Sequence, residues 1–313
     1  MPRDAFNLAM TQPPLRKKVL FICGSLNQTT QMHKVAQELP DLDHYFTPFY
    51  VDGTFEQMRK MHLMEYTILG GEHLRRSTQY LNDHQLTIDY RGSSNQYDLI
   101  VRSGDISIPK NTRGRRSVLV QEGMTDPSNL RFLLIKYFRA LPRWSASTAA
   151  FGLSDDYDKF CVASEGYRDL FIENGVLPEK IVVTGNPNFD NCKKYFQNDF
   201  PHRGYVLACT SDMRETMRYE NRPKFIKRCV EIAAGRQIIF KLHPNELVER
   251  ATKEINEYAP GALIYWSGSA EEMIANCDTL ITRYSTVVFA ASALGKEIYS
   301  DLDPNELRRL TPM

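Results

Sequence analysis

CDTLITRYSTVVFAASALGKEIYSD, residues 277–301, decides the fold. Its run TLI has the short apolar pattern of a buried strand, and after RYST the residues Val287, Val288, Ala290, Ala291 and Leu294 recur at helical spacing. Gly295 ends that helix and EIY begins another strand. Strand, helix and strand in so short a span predict a parallel crossover unit. Ser285 and Thr286 fall at the helix N terminus, where free backbone N–H groups and the helix dipole favour a phosphate. Serine and threonine are also ordinary N-caps, so this position alone does not decide the matter.

A second stretch, QIIFKLHPNE at residues 237–246, supplies the other half of the argument. Side chains alternate along a strand, so Ile239, Lys241 and His243 share one side while Ile238, Phe240 and Leu242 share the other. Pro244 has no N–H for the ladder and stops the strand. Two potential cations therefore emerge together. A solvated strand end, with a helix starting at Asn245 and Glu246, would account for KxHP by itself. Taken with Ser285 and Thr286 at the end of another strand, the two stretches form a pyrophosphate clamp.

Outward from this point, KKVLFIC (residues 17–23) reads as a buried strand, followed by a turn at Gly24 and a helix carrying Met32, Val35, Ala36 and Leu39. DHYFTPFYV, YDLIVRS, RSVLVQEG, DKFCVAS and EKIVVTGNP are further strand candidates. After the polar, proline-bearing segment 185–204 the alternation starts again with GYVLACTSD, QIIFKLHPN, ALIYWSG, DTLITRYS and KEIYSDL. The expectation is an α/β chain of two doubly wound, Rossmann-like parallel-sheet domains facing a cleft, at 1–190 and 191–313. Functional loops belong at the carboxyl ends of the strands.

Composition bounds the rest. At 313 residues the chain suits two domains, and 42% hydrophobic and 25% charged residues are ordinary for a globular protein. A net charge of +1 gives no global pull toward nucleic acid. Six cysteines without a CxxC pair argue against a zinc ribbon or redox dithiol and suit reduced thiols, and no leader or membrane span is read, so a cytoplasmic location is expected.

KLHPNE followed by CDTLITRYSTVVFAASALGK resembles the C-terminal half of GT-B nucleotide-sugar enzymes, particularly CDP-glycerol glycerophosphotransferases and capsule or Kdo transferases. KFCVASEGYRDLFIENGV with VTGNPNFDN is similar to the non-hydrolysing UDP-N-acetylglucosamine 2-epimerases where their chain passes between domains. The likeness spans residues 98–300 as ordered motifs. It implies a GT-B-like fold and phosphate-holding roles for His243, Ser285 and Thr286, with Lys241 as an added cation and Tyr284 and Gly24 beside them. It also implies that Asp105 and Glu122, each next to a glycine at a strand end, match the aspartate and glutamate of the epimerase active site. The epimerases' further catalytic glutamate has no counterpart near residues 142–150, and Ala290 stands where many GT-B proteins have a ribose-gripping glutamate. Such proteins usually continue into further helices that pack back onto the first domain, so a second domain that is truncated or unusually short is expected.

The resulting expectation is a metal-independent glycosyltransferase-like enzyme, without cofactor, moving a sugar or related group from a UDP- or CDP-type donor to a glycan or lipid-linked acceptor in cell-surface polysaccharide synthesis. Glu122 would act as general base toward the acceptor hydroxyl, with Asp105 and His243 as further catalytic residues. A 2-epimerase and a non-catalytic nucleotide-sugar-binding protein are the alternatives. The pairs Asp41 and Asp43, Asp156 and Asp158, and Asp301 and Asp303 are read as caps and solvated turns rather than metal ligands. LRFLLIKYFRALPRW, residues 130–144, mixes apolar and basic residues in the manner of an interfacial helix making peripheral membrane contact, although a core-facing helix is commoner.

Overall fold

The computed structural model describes residues 16–65, 67–126, 130–138, 143–215 and 218–312. Each apolar run named above becomes a strand. The first sheet holds β1 (Lys18–Ile22), β2 (Asp43–Thr47), β3 (Leu99–Arg102), β4 (Ser117–Val120), β5 (Lys159–Val162) and β6 (Ile181–Val183), in the order β2-β1-β3-β4-β5-β6. The second holds β7 (Val206–Cys209), β8 (Ile238–Lys241), β9 (Leu263–Tyr265), β10 (Thr279–Ile281) and β11 (Glu297–Tyr299), in the order β11-β10-β7-β8-β9. All pairings are parallel. Parallel strands are covered on both faces, which is why they read as continuous apolar runs rather than alternating ones.

Strand order reverses between β1 and β3 in the first sheet and between β7 and β10 in the second. Chains leave such neighbours in opposite directions, so a crevice opens beyond their carboxyl ends. The two crevices face each other.

One hydrophobic cluster belongs to both domains. Leu119, Phe160, Tyr167 and Phe171 of the first meet Val288, Phe289, Leu302 and Leu310 from the second half of the chain. Helix Pro304–Leu310 lies back on the first domain, and the Ser164 hydroxyl donates to the Leu310 carbonyl at 3.2 Å. Gly166 permits this approach, because a Cβ there would sit 2.0 Å from the Arg309 carbonyl oxygen.

Helix Leu130–Tyr137 turns one side to a core, as the core-facing reading expects. Phe132 and Ile135 are buried, while Leu133, Leu134 and Tyr137 are exposed. Among the described residues no helix is long and apolar enough to cross a membrane.

Candidate functional site

The facing crevices form one cleft of about 1100 Å³, lined by loops that follow β1, β3 and β4 on one side and β7, β8, β9 and β10 on the other. The β8 end behaves as the alternation requires. Phe240 and Leu242 enter one core, Ile239 enters the core on the opposite face, and Lys241 and His243 follow Ile239 to the cleft wall.

The last residue of KLHPNE explains the loop's shape. Glu246 is buried and does not start a helix, which begins at Val248. One carboxylate oxygen accepts the His243 N–H at 2.9 Å and the Thr210 hydroxyl, while the other takes Arg222 Nη2 at 2.5 Å. Arg222, itself 1% exposed, also contacts Glu220 at 2.9 Å and donates to the Ser211 carbonyl at 2.8 Å. A buried ion pair thus fastens the loop that presents His243 to the cleft.

Burial works against charge on both of the potential cations at this strand end, His243 and Lys241. For His243 it lowers the pKa, with the nearby Asp212 carboxylate opposing the shift. Its Nδ1 accepts the Asn245 N–H at 3.3 Å and lies 3.6 Å from Asp212 Oδ2. Burial also pulls down the pKa of Lys241, whose Nζ donates to the Leu242 carbonyl at 3.2 Å.

Ser285 and Thr286 both line the cleft. Thr286 is the N-cap of helix Val287–Ala293, yet its hydroxyl makes no capping hydrogen bond, so the capping role does not occupy it. Tyr284 is placed differently: its hydroxyl donates to the Thr125 carbonyl at 3.1 Å across the domain boundary, and burial pushes its pKa up to about 12. It ties the domains together.

On the opposite wall Glu122 meets the N terminus of helix Leu26–Gln37. Its Oε1 accepts from Ser25 Oγ at 3.1 Å and Asn27 Nδ2 at 3.0 Å, and its Oε2 accepts from Gln28 Nε2 at 2.6 Å. Gln28 and Ser25 also form that helix's capping box. Gly24 is needed there for space, since a Cβ would fall 1.6 Å from Gln28 Oε1. Gly123 serves a similar purpose toward the other domain, because a Cβ would come 2.6 Å from Thr286 Cγ2.

Asp105 does not join Glu122 on the cleft wall. It is fully buried, accepting the Gly152 and Ser154 N–H groups at 3.0 Å each, and burial raises its pKa. The carboxylate pins the loop before β5. The aspartate pairs likewise have local partners. Asp156 and Asp158 accept the N–H groups of Gly114 and Ser117, Asp301 meets Arg228 and Arg283, and Asp303 caps helix Pro304–Leu310.

Four cleft residues escaped the sequence reading. His73 and Arg76 come from helix Gly71–Asp83, and Asp212 and Asn245 from loops of the second domain. Asn245 Nδ2 donates to Asp212 Oδ2 at 2.9 Å and lies 3.2 Å from His73 Nε2, bridging the cleft. His73 also has a pKa lowered by burial. GEHLRRSTQ has no motif, and the partners Asp212 and Asn245 lie more than a hundred residues away in sequence.

No family model matches the chain, and no curated protein matches it. Solved structures do. A Listeria monocytogenes protein assigned as a UDP-N-acetylglucosamine 2-epimerase superposes with TM-score 0.57 at 14% identity, over 93% of this chain and 81% of its own. An Anabaena protein in complex with UDP and glucose gives TM-score 0.53 at 12% identity, covering 90% and 80%. The wall teichoic acid polymerase TagF gives 0.52 at 14% identity, covering 90% and 69%. Two parallel sheets facing a cleft define the class: the chain has a GT-B-like fold.

Proposed function

We propose that this protein is a nucleotide-sugar enzyme, and that it transfers a sugar or related group from a nucleotide-activated donor to an acceptor. The observation that carries the reading is the convergence on one cleft of Lys241, His243 and the Ser285 and Thr286 hydroxyls. Such donors suit a diphosphate. The solved neighbours, among them a Neisseria meningitidis epimerase bound to UDP-N-acetylglucosamine, support a UDP-type donor.

Transfer is favoured over epimerisation by the first domain's carboxylates. Only one of the pair that matches the epimerases, Glu122, lines the cleft; Asp105 is spent on backbone amides. In this reading the donor lies on the second domain, charge at its leaving phosphate is stabilised by the clamp, and Glu122 takes the acceptor proton. Incubation with nucleotide sugars labelled in the sugar tests it. Label moving to an acceptor with release of nucleoside diphosphate is the expected result; label returned as a C2 epimer without acceptor would assign the epimerase instead.

A further inference from the structure

The amide of Asn27 is one of the three donors that hold Glu122, and its direction is set from further along the same helix. Asn27 Nδ2 donates to Glu122 Oε1 at 3.0 Å. Its own oxygen, Oδ1, accepts from Asn188 Nδ2 at 2.9 Å. The Asn188 oxygen in turn accepts from Lys34 Nζ at 3.0 Å. Four side chains thus form a relay from an amine to a carboxylate through two amides.

Both ends dictate which way the amides point. A lysine ammonium only donates and a carboxylate only accepts. Lys34 therefore claims the oxygen of Asn188, the Asn188 NH2 is left to face the oxygen of Asn27, and the Asn27 NH2 faces Glu122. Bonds aligned in one direction polarise and strengthen one another. Burial lowers the pKa of Lys34, which also donates to the Pro187 carbonyl at 3.1 Å, so the amine is held by two oxygens. Helix geometry supplies the spacing: Asn27 and Lys34 lie two turns apart on one side of helix Leu26–Gln37. Asn188 bridges them from the segment between β6 and β7 that carries the chain from one half to the other. Its backbone is fixed there, because its N–H donates to Asn186 Oδ1 at 2.9 Å while Asn186 Nδ2 donates to the Glu122 carbonyl at 2.7 Å. We infer that Lys34 and Asn188 are positioning residues for Glu122, acting through Asn27 by turning its NH2 toward the carboxylate. The inference rests on the role proposed for Glu122 above, and its test has one arm that needs no turnover.

Asn188→Asp in the full chain keeps the size of the side chain and gives Lys34 an oxygen to hold, but it has no N–H for Asn27, whose NH2 is then drawn away from Glu122. In the labelled-sugar assay kcat is expected to fall roughly tenfold or more, with donor KM, calorimetric UDP affinity and melting temperature near those of the unmodified protein. A contact that only fastened the segment between the halves would leave kcat unchanged. Lys34→Met is expected to lower kcat in the same way, and Lys34→Arg to retain most of it. The second arm follows the Asn27 side-chain NH2 in nitrogen-15 NMR spectra, its signals recognised by their loss in Asn27→Ser. In Lys34→Met these signals are expected to move toward the position they take in Glu122→Gln, although Asn188 stands between. Signals unmoved in Lys34→Met would overturn the inference, as would full kcat in Asn188→Asp alongside a loss in Glu122→Gln. Full turnover in Glu122→Gln would instead remove the base itself, and the Asn27 signals then decide on the relay by themselves.

Discussion

Glu246 accepts the backbone N–H of His243 at 2.9 Å, so the charge that anchors the loop and the imidazole that faces the cleft are directly linked. Glu246→Gln keeps the shape but removes the negative charge beside Arg222. The expected outcome is a loss of about 2 to 4 kcal/mol in urea denaturation, since one partner of a buried pair is neutralised. Nucleotide affinity should fall with it, because His243 loses its fixed position. Unchanged stability would mean that Glu220 alone suffices for Arg222.

His243→Ala should weaken nucleoside diphosphate binding by about 1.5 to 3 kcal/mol, the scale of one hydrogen bond to a charged group, with folding intact. Calorimetric titration checks this. The clamp consists of side chains, so binding is expected to survive EDTA; a strict divalent-metal requirement would contradict the reading.

Glu122→Gln places an amide among three donors, Ser25, Asn27 and Gln28, and removes the proton acceptor. Turnover is expected to fall by roughly 10² to 10⁴ while donor affinity barely moves. Paired steady-state and binding measurements on the same variant separate this from a purely structural role, which would lower the melting temperature and leave turnover near that of the unmodified protein.

Gly123→Ala introduces a methyl group against Thr286 Cγ2 across the cleft. Overpacking of this kind costs about 1 to 3 kcal/mol, so the domains should part slightly and both stability and donor affinity should drop. Thr286→Ser deletes the opposing methyl but keeps the hydroxyl. The double variant is expected to recover most of the loss, and failure to recover it would place the cost elsewhere than this contact.

Acidification should destabilise the fold through its histidines. Burial lowers the folded-state pKa values of His33, His73 and His243 below the ordinary 6.5. In the window from that value down to the lowered ones, the unfolded chain binds more protons than the folded one, so stability falls as pH falls. Denaturant titrations at a series of pH values should show this slope, and it should shrink in His73→Gln and His243→Gln.

The strands were legible because each parallel strand is buried on both faces and so stands out as an apolar run between glycines and polar turns; KKVLFIC and DTLITRYS are examples. That Lys241, His243, Ser285 and Thr286 share one cleft was legible because they sit at strand ends, where position along the chain already specifies position in space. Asp105 misled for an instructive reason. It stands at a strand end next to a glycine, as a cleft residue does, and only the fold reveals that the Gly152 and Ser154 amides claim it. Tyr284 was read with its neighbours as a phosphate contact, but one step of chain rotation turns it toward Thr125. His73 and Asn245 became a pair only through tertiary packing.

The return of helix Pro304–Leu310 to the first domain carries a mechanical consequence. The polypeptide crosses between the halves after β6 and crosses back after β11, and the cluster that includes Leu119, Phe289 and Leu310 fills the space beside the second crossing. Two attachment points define a line, as two pins define the axis of a door. A double attachment with an apolar cluster beside it leaves the halves less relative freedom than a single linker would. His73 and Asn245, which meet from opposite walls, add a polar contact between the same two halves.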